Sequence, residues 1–529
     1  MPQKIFANIL NVLLLMLGAM ALWALVFGGF TLRVSGLDIA VNGFQRLLLL
    51  IAVLFVIKLL ISGGRERLFQ AGDKISIFFS SEKNVLLVIA VFMIVFVWVK
   101  ISQYLSFNIH ALDFSDFDYA ISNTLKGDFM ATPFWEQNYF GVHFVPILFF
   151  IVPFYALHDG PYVLLIMQAA IVAIGAYPFY RLCRHYFKEP FVAGLLMIAY
   201  LNYSYLIRGL IYDFHWEMII PALFFFIFYY FEKKDYLKYF IFLILALMAK
   251  EDVPLYTFFI GLYLLAVRKE WKPGIATMVL SMVWFVVAIS IIKQINHGDL
   301  GYAGRWQAYG ANFVEIGFYF VSHPAELMRI LFKPDIWLKL LHPLAFLPLL
   351  SPAVFLLALP SFFINVSSSL GGQATLSYYY SAPIIPFLFI AAALGIKRLY
   401  AWSNGSNKVL WAASMLLLLL SLNNSNLKTQ KITDHHVIGY DAVSVVPATA
   451  SVIAQVDIMP HLPKRKEIHM LKSDSPRIDA EYILFDKTGN LWPLKPSEYE
   501  EVFKFYANST AHSVLFEKDG YYIFRKAGI

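Results

Sequence analysis

The chain has 529 residues, of which 59% are hydrophobic and 15% are charged. A soluble globular protein carries about 45–50% apolar and about 25% charged residues. This composition excludes an ordinary soluble domain, because the excess apolar surface has to be covered by lipid. The formal charge of +7 does not indicate a nucleic-acid partner, since the basic residues lie in short clusters between apolar runs, where they set membrane topology.

Apolar runs long enough to cross a bilayer recur along the chain from its N-terminus. A span needs about 20 apolar residues, with roughly 17–25 typical. Two longer runs, 238–267 and 338–366, indicate hairpins of two short spans each, which gives about thirteen spans in all. The segment 143–157 is short and contains two prolines, which favours an interfacial or re-entrant helix. The remaining predicted spans are 5–28, 45–62, 84–101, 161–181, 190–206, 217–231, 274–293, 383–397 and 407–422.

The Lys and Arg clusters predict which loops face the cytoplasm, because such clusters favour that side. With the two hairpins counted as pairs of spans, five clusters fall on one side. The expected organisation is two N-terminal spans in 1–75, a membrane domain in 76–422 with outer loops 102–142 and 294–337, and an extracytoplasmic domain in 423–529. The clusters are Arg65 to Arg67, Arg181 to Lys188, Lys233-Lys234, Arg268-Lys269 and Lys397-Arg398.

The tail differs in character from the rest of the chain. Asp519-Gly520 lies between apolar runs and predicts a β-hairpin. Pro496 to Tyr506 predicts a short helix, with Ser497 as its N-cap and Glu500 three residues later. The tail is therefore predicted to be a small α/β domain. Its period-2 segments, which predict strands, are Ala450 to Gln455, Glu467 to Leu471, Glu481 to Phe485, Val514 to Phe516 and Tyr521 to Phe524.

The first outer loop holds the strongest candidate for catalysis. Asp113, Asp116 and Asp118 lie close together among Phe and Tyr residues. A carboxylate beside an acceptor hydroxyl can act as a general base, and two or more carboxylate oxygens suit a hard divalent cation. The alternative is a surface loop that is merely acidic.

Polar residues at the outer ends of spans are the next candidates. Asp213 and Glu217 are four residues apart, so they share a helix face if the helix begins early, and His215 between them is a candidate ligand, proton carrier or phosphate contact. An interfacial polar cap is the simpler reading. His143, after the acidic loop, is a weaker candidate. Arg305 is a candidate phosphate clamp because its planar fork suits phosphate oxygens.

Lys250, Glu251 and Asp252 interrupt an apolar stretch. Ionisable groups at membrane depth are costly and usually line a cavity or pair with each other. An internal Lys–Glu brace is the structural alternative to a binding site. The sequence contains no hydrolase nucleophile elbow, P-loop or His-Glu-x-x-His zinc motif. Outer acids, buried charges and a phosphate-binding arginine together favour transfer from a lipid-linked phosphate donor.

At these residues the sequence resembles the predicted membrane proteins grouped as domain of unknown function 2079 (DUF2079). The resemblance runs along most of the chain from about Ser106. The segments that carry it are Leu112 to Gly127, His143 to Leu148, Asp213 to Glu217, Lys250 to Asp252, Arg305 to Gly310, Pro348 to Pro352, Tyr380 to Pro386, Ala450 to Gln455 and His461 to Arg465.

The family resembles a branch of the GT-C class of glycosyltransferases. The resemblance implies a multipass, all-α membrane fold, a polyprenyl-phosphate-linked sugar as donor, and an essential acid in the first outer loop. Asp113 takes the position of that acid, with Asp118 second, and the pair would hold any divalent cation. The substrate-binding residues implied are His143, Asp213, His215, Glu217, Lys250, Glu251, Asp252, Arg305 and Tyr380.

The sequence therefore predicts an inverting, GT-C-like glycosyltransferase in the inner or plasma membrane of a prokaryote, acting on an acceptor outside the cytoplasm. Membrane lipid and the lipid-linked donor are its expected partners. Two alternatives remain open. One is a transporter or lipid flippase, whose buried charges would line a translocation path. The other is a non-catalytic scaffold whose tail binds an envelope partner.

Overall fold

The structure is a computed structural model that describes residues 2–34, 37–41, 44–136, 138–298, 300–424 and 427–528. The chain forms two compact units. The helical unit comprises Met1–Val99, Gly141–Ile147 and Ile166–Thr429, and the mixed unit comprises Lys100–Phe140, Leu148–Leu165 and Gln430–Ile529. The tail therefore shares its unit with most of the first outer loop.

The helical unit begins with a helix, a two-stranded antiparallel hairpin (Phe30–Val34 with Leu37–Val41) and a second long helix. Short 3₁₀ segments link several later helices at Trp216–Ile219, Gly301–Trp306, His342–Leu344, Leu347–Leu350 and Leu356–Ala358. Its helices, two of which extend into the mixed unit, are Pro2–Phe27, Phe44–Ser80, Glu82–Leu105, Pro161–Ile174, Ala176–Tyr186, Pro190–Leu201, Ser204–Ile211, Ile220–Glu232, Tyr236–Leu247, Val253–Ala266, Trp271–Ile295, Phe313–Ser322, Pro324–Leu331, Pro334–Leu341, Pro352–Phe355, Leu359–Val366, Gly371–Ala374, Ile385–Trp402 and Asn407–Asn424.

Several of these helices are long and apolar enough to cross a membrane. Within the described ranges there are five, or six if the bent pair Pro190–Leu201 and Ser204–Ile211 counts as one span. The total of about thirteen stays a prediction, because several of the other predicted spans coincide with helices shorter than a bilayer. The five are Asn8–Phe27, Glu82–Leu105, Pro161–Tyr186, Trp271–Ile295 and Ile385–Trp402.

The run 238–267 is a helical hairpin, as its central charges predicted. Helices Tyr236–Leu247 and Val253–Ala266 flank a turn that contains Lys250, Glu251 and Asp252. At 1.5 Å per residue these helices are only about 18 and 21 Å long. The charged turn is therefore held at the end of two short apolar helices.

The long outer loop 294–337 is largely helical. Helices Phe313–Ser322 and Pro324–Leu331 are separate. Pro324 begins the second helix and has no backbone N–H to donate, so the first helix cannot continue through it. Val314 and Phe318 on the first helix are 81% and 73% exposed. This loop is more apolar than a solvated connection between spans.

The mixed unit contains a five-stranded sheet, as the period-2 pattern of the tail predicted. Three strands run parallel and two form the antiparallel hairpin at Asp519-Gly520. In spatial order the strands are Ile468–Met470, Val452–Ala454, Tyr482–Asp486, Tyr521–Lys526 and His512–Lys518. Its helical segments are Ala111–Leu125, Tyr139–Gly141, Pro146–Phe150, Val152–Tyr155, Asp434–Ser444, Met459–His461, Ser475–Arg477 and Pro496–Ala507, some of whose ends lie in the helical unit.

Alternation along the strands gives the sheet two packed faces. One face, with Ile483 and Phe485, packs against helix Pro496–Ala507. The other face, with Leu484 and Ile523, packs against residues of helix Asp434–Ser444 and of the first outer loop. The contributions from that loop are Phe107, Ala111 and Tyr119. The loop is thus part of the core of the tail domain.

The N-cap of helix Pro496–Ala507 lies two residues before the predicted one. Lys495 is the N-cap, Pro496 is the first helical residue, and the backbone N–H of Lys495 donates to Glu498 Oε2 at 2.8 Å. The prediction of Ser497 as N-cap is wrong, because proline fits the first helical turn, where no backbone donor is needed.

Candidate functional site

A cavity of about 710 Å³ lies within the helical unit. Its walls are apolar along helices Val253–Ala266, Trp271–Ile295 and Phe313–Ser322, and polar at one end. Six side chains form the polar end: His143, Lys250, Glu251, Asp252, Tyr302 and Arg305.

Small residues bring the first two of these helices together. A Cβ on Gly261 would lie 2.8 Å from the carbonyl oxygen of Gly274, so the backbones meet here without side chains between them. Thr257 and Ser281 hydrogen-bond across the same interface at 2.8 Å. Large side chains are consequently displaced to the flanks of the pair, where Leu255, Phe258, Met282, Phe285 and Val286 line the cavity.

The cavity opens on the flank of a membrane span. Met282 and Val286 line it and are still 61% and 62% exposed. Both belong to the candidate span Trp271–Ile295. Only 22% of the most apolar stretch of this helix is buried. An apolar chain inside the cavity can therefore continue into the surrounding lipid.

Glu217 is the centre of the charge network beside the cavity. Its Oε1 accepts a hydrogen bond from Lys250 Nζ at 2.6 Å, and its Oε2 contacts His215 Nδ1. All three side chains are largely buried, and the His215 ring stacks on Tyr379. The pairing satisfies the general requirement that charges withdrawn from water have charged or hydrogen-bonding partners.

Glu251 and Asp252 have separate partners. Glu251 Oε1 lies 2.7 Å from His143 Nδ1, and its Oε2 accepts from the backbone N–H of Phe144 at 3.3 Å. Asp252 Oδ2 accepts from the hydroxyl of Tyr256 at 2.7 Å. The His143 ring in turn stacks on Tyr302, with centroids 5.3 Å apart. The structural alternative, an internal Lys–Glu brace, is thus present as Lys250 with Glu217, while Glu251 pairs with His143.

Arg305 differs from the other cations at this end of the cavity. It is the penultimate residue of the 3₁₀ segment Gly301–Trp306 and is half-buried. Its Nη1 donates to the amide oxygen of Gln373 at 3.1 Å. Among the described residues, no carboxylate lies within 4.0 Å of its guanidinium. The full charge of Arg305 is therefore available to an anion in the cavity.

Asp213 and Tyr380 lie off the cavity. Asp213 is buried in the bend between helix Ser204–Ile211 and the 3₁₀ segment Trp216–Ile219. The expectation that Asp213 and Glu217 share a helix face is wrong, because the chain turns between them. Tyr380 is also buried, and its carbonyl oxygen accepts from Asn365 Nδ2 at 3.3 Å.

The predicted catalytic acids lie in the mixed unit, on helix Ala111–Leu125. Asp113 is in the first turn and is half-buried. Asp116 is buried and accepts from Thr132 Oγ1 at 2.6 Å and from Trp135 Nε1 at 2.7 Å. Burial raises the pKa of Asp116 to about 7, against the lowering effect of these two hydrogen bonds.

Asp118 is the acceptor in a buried ion-pair network. Its carboxylate accepts from the hydroxyl of Tyr155 at 2.8 Å and pairs with Lys464 Nζ at 3.1 Å. Lys464 also pairs with Asp159 at 2.7 Å. Burial raises the pKa of Asp118 despite Lys464. Burial has the same tendency at Asp159, but hydrogen bonds from Lys464, Lys126 and Ser122 outweigh it and lower the pKa to about 2.

Asp113 and Asp118 do not fit a shared metal site. Five residues apart on a helix, they point about 140° away from each other. The carboxylate of Asp118 is already engaged by Lys464 and Tyr155. The residues described contain no group of three His, Cys, Asp or Glu side chains placed to hold a metal ion. We therefore derive no step through a cation held by this pair.

Five residues of these networks carried no signal in the sequence: Tyr302, Gln373, Tyr155, Asp159 and Lys464. Each meets its partner over a long separation along the chain, such as 68 residues between Arg305 and Gln373. Only Lys464 lies in a segment that carries the family resemblance, His461 to Arg465, and that segment gave it no role; the other four belong to no short motif, so local pattern could not single them out.

A comparison with protein families places the chain. The family described as predicted membrane protein, DUF2079, matches residues 103–523. The chain belongs to the DUF2079 family. The matched region includes both the cavity of this DUF2079 protein and its acidic helix, and it confirms the family expected from the sequence. A search of curated proteins found no match.

Solved structures similar to this DUF2079 protein include ArnT from Cupriavidus metallidurans. ArnT bound to undecaprenyl phosphate is 11% identical, with a TM-score of 0.49 over 84% of this chain and 98% of ArnT. ArnT in the apo state is 12% identical, with a TM-score of 0.49 over 83% of this chain and 97% of ArnT. At this level of similarity no role of an ArnT residue is transferred to the DUF2079 protein.

Proposed function

We propose that the protein is a membrane glycosyltransferase that moves a sugar from a polyprenyl-phosphate donor to an acceptor outside the cytoplasm. The observation that carries the proposal is the two-part cavity. Its polar end has Arg305 without a carboxylate partner among the described residues, and its apolar wall opens beside a membrane span. A ligand that fits both parts has an anionic head and a long apolar chain.

The size of the cavity agrees with such a ligand. Ligand pockets in proteins are typically about 300–1,000 Å³ and largely apolar, with a few polar groups that fix orientation. At about 710 Å³ the cavity can enclose the head of a lipid-linked sugar and the first part of its chain. The rest of the chain would leave between exposed residues such as Met282 and Val286.

The charges at the polar end suit a leaving phosphate. In the proposed reaction the acceptor hydroxyl oxygen attacks the anomeric carbon, and the bond between that carbon and the phosphate oxygen breaks. The electron pair of this bond stays with the polyprenyl phosphate, whose charge Arg305 stabilises, with Lys250 beside it in its ion pair with Glu217. His143 and His215 belong to the networks that hold the neighbouring carboxylates in place.

The proton of the acceptor hydroxyl goes to Asp113 in this proposal. The family resemblance assigns it that role, and its half-buried position in the first turn of a helix leaves the carboxylate in a favourable electrostatic environment, because a helix N-terminus stabilises negative charge. Asp118 is the less suitable base, since Lys464 and Tyr155 occupy its carboxylate.

The test is sugar transfer by the purified protein in nanodiscs. A panel of polyprenyl-phosphate sugars with radiolabelled head groups is incubated with envelope extract as the acceptor source. The proposal is supported if label passes from one donor into the non-lipid fraction and if this transfer is lost in Arg305→Gln. No transfer from any donor, together with movement of a labelled lipid across proteoliposomes, would instead establish the flippase alternative.

A further inference from the structure

Gln373 is the residue that orients Arg305. It lies 5% exposed in the helical unit, at helix Gly371–Ala374. Its Oε1 accepts from Arg305 Nη1 at 3.1 Å and from Ser368 Oγ at 2.9 Å, and its Nε2 donates to Asn365 Oδ1 at 3.1 Å. The Gln373 amide is thus held at both ends.

The orientations of the Asn365 and Gln373 side-chain amides are fixed by their hydrogen-bonding partners. Asn365 Nδ2 faces the backbone carbonyl oxygens of Ser361 at 2.7 Å and Tyr380 at 3.3 Å, which can only accept. The Asn365 carbonyl oxygen must therefore face Gln373, and Gln373 must present its NH₂ group to it. The oxygen of Gln373 is left to face Arg305, which can only donate. Reversing either amide would set acceptor against acceptor or donor against donor.

A neutral partner has a different electrostatic effect from a carboxylate. Lys250 is paired with Glu217 at 2.6 Å, and that pair has no net charge. Gln373 orients the guanidinium through one N–H and takes away none of its charge. An arginine fork that keeps its charge and has free N–H groups is suited to bidentate binding of a phosphate.

The backbone around Arg305 is tied to the same segment as Gln373. The carbonyl oxygen of Arg305 accepts from the backbone N–H of Ser369 at 3.0 Å. The indole of Trp306 donates to Ser367 Oγ at 3.0 Å. The 3₁₀ segment Gly301–Trp306 is therefore docked on the 361–373 region through its main chain, and Gln373 acts on the Arg305 side chain alone.

We propose that Gln373 is a positioning residue, whose amide relay from Ser361, Tyr380 and Asn365 aims an uncompensated Arg305 at the phosphate of a lipid-linked ligand. The inference rests on the proposed function for the nature of that ligand. It adds the requirement that residue 373 be neutral and accept a hydrogen bond.

The experiment measures binding of farnesyl phosphate, with farnesol as the uncharged comparison, to the full-length protein in detergent. Gln373→Glu places a carboxylate against Arg305 and should weaken farnesyl phosphate binding about tenfold or more, because charge-assisted contacts to phosphate are lost. Farnesol binding should change by less than about twofold. Thr375→Glu is the matched control, since Thr375 is exposed two residues away and adds the same charge.

A double-mutant cycle separates positioning from a general structural effect. If Gln373 acts through Arg305, Gln373→Glu should have no further effect on binding in an Arg305→Gln background. The carboxylate of Gln373→Glu also faces Asn365 Oδ1, so its Tm is measured alongside. Gln373→Met, which is neutral and similar in length, is the second variant. It removes the acceptor and should weaken binding less than Gln373→Glu, again only when Arg305 is present.

The outcomes distinguish the inference from the proposed function. If the parent protein binds farnesyl phosphate no better than farnesol, the proposed donor class is wrong and the inference falls with it. If the parent binds farnesyl phosphate and the Gln373 variants bind it equally well, only the inference is overturned. An equal loss in the presence and absence of Arg305 also overturns it, because Gln373, which lines the cavity, would then act on the ligand directly or support the fold.

Discussion

Asp118 in the mixed unit and Arg305 in the helical unit are both partly withdrawn from water, but their partners differ in kind. Asp118 has an opposite charge at 3.1 Å from Lys464 and a hydroxyl donor from Tyr155 at 2.8 Å. Arg305 has the neutral amide of Gln373. The charge of Asp118 is cancelled by its neighbours, whereas that of Arg305 is oriented by a neutral group, which is the basis of the role proposed for it at a phosphate.

The two groups of acids predicted as functional are both partnered but differ in where they lie. In the mixed unit, Asp116 and Asp118 are buried in complete sets of hydrogen bonds and ion pairs. In the helical unit, Glu251 and Asp252 line a cavity while bonded to His143 and Tyr256. Burial and pairing indicate a structural role for Asp116 and Asp118. Glu251 and Asp252 lie where a ligand in the cavity can reach them.

The largest effect is expected in a labelling experiment, where each position either reacts or does not. We predict that the first outer loop and the tail face the same side of the membrane. They share one hydrophobic core, which includes Phe107 and Ile523. Cysteines at the exposed positions Asp128 and Thr510 should both react with an impermeant thiol reagent in intact cells, whereas a cysteine at Lys408 should react only after permeabilisation. The native Cys183 is buried and should not interfere. Reaction at only one of the two outer positions would contradict the shared side.

The next largest effect is expected from Asp113→Asn. A general base contributes typically about 10²–10⁴-fold, so turnover should fall by that factor if Asp113 takes the acceptor proton. Stability should fall by no more than about 1 kcal/mol, the value of an acid in the first turn of a helix. Asp128→Asn on the exposed side of the same loop is the control. Unchanged turnover in Asp113→Asn would remove Asp113 from the mechanism.

Asp116 is a poor control for that experiment because it is buried between Thr132 and Trp135. Its tolerance cannot be assumed from its place in an acidic loop. Comparing Asp113→Asn with Asp128→Asn keeps the change of charge and avoids the change of packing.

Lys464→Met tests how strongly the ion pairs of Asp118 and Asp159 stabilise the mixed unit. The variant leaves Asp118 and Asp159 without their shared cation, and breaking a buried ion pair costs about 3–5 kcal/mol. Because the side chain of Lys464 is 17% exposed, we expect the lower end of that range, measured as a lower Tm and faster proteolysis of the tail. Below the transition, farnesyl phosphate affinity should be unchanged.

Lys126→Met provides the matched comparison. Lys126 also pairs with Asp159, at 3.0 Å, but its side chain is 54% exposed. Exposed pairs are worth about 0–1 kcal/mol, so the Tm should hardly move. Equal destabilisation by Lys464→Met and Lys126→Met would show that burial does not decide the strength of this network.

The last prediction concerns pH. Burial raises the pKa of Asp116 from its usual 3.8 to about 7. The folded protein therefore keeps this proton at pH values where the unfolded chain has lost it. The associated stability is fully present below about pH 4 and is lost as the pH rises to about 7. At about 1.4 kcal/mol per pKa unit, this shift is equivalent to roughly 4 kcal/mol, so Asp116→Asn should markedly flatten this part of the Tm profile.

The Tm of Asp116→Asn should still depend on pH to some extent, because of a second buried acid. Burial also raises the pKa of Asp457 to about 6, with the same sign. A Tm profile that is equally steep with and without Asp116 would mean that the carboxyl of Asp116 is ionised in the folded protein at neutral pH.

Local sequence pattern was sufficient for the elements of the tail and for several membrane helices. Strand alternation, the Asp519-Gly520 turn and the 238–267 hairpin were all predicted, because each is set by neighbours within about ten residues. The N-cap of helix Pro496–Ala507 was misplaced by two residues, since Ser497 fits the usual cap composition while Pro496 fixes the actual start. The order of the strands could not be predicted, as parallel pairing joins residues far apart in sequence.

The sequence by itself determined that this is a membrane protein of the DUF2079 family with a small mixed tail, because apolar composition and motif order are properties of the chain alone. Only the tertiary structure decided which charges cancel. Lys250 pairs with Glu217, 33 residues away along the chain. Arg305 obtains its orientation from Gln373, 68 residues away. The energy of a buried charge depends on every group within a few ångströms, and folding alone brings those groups together.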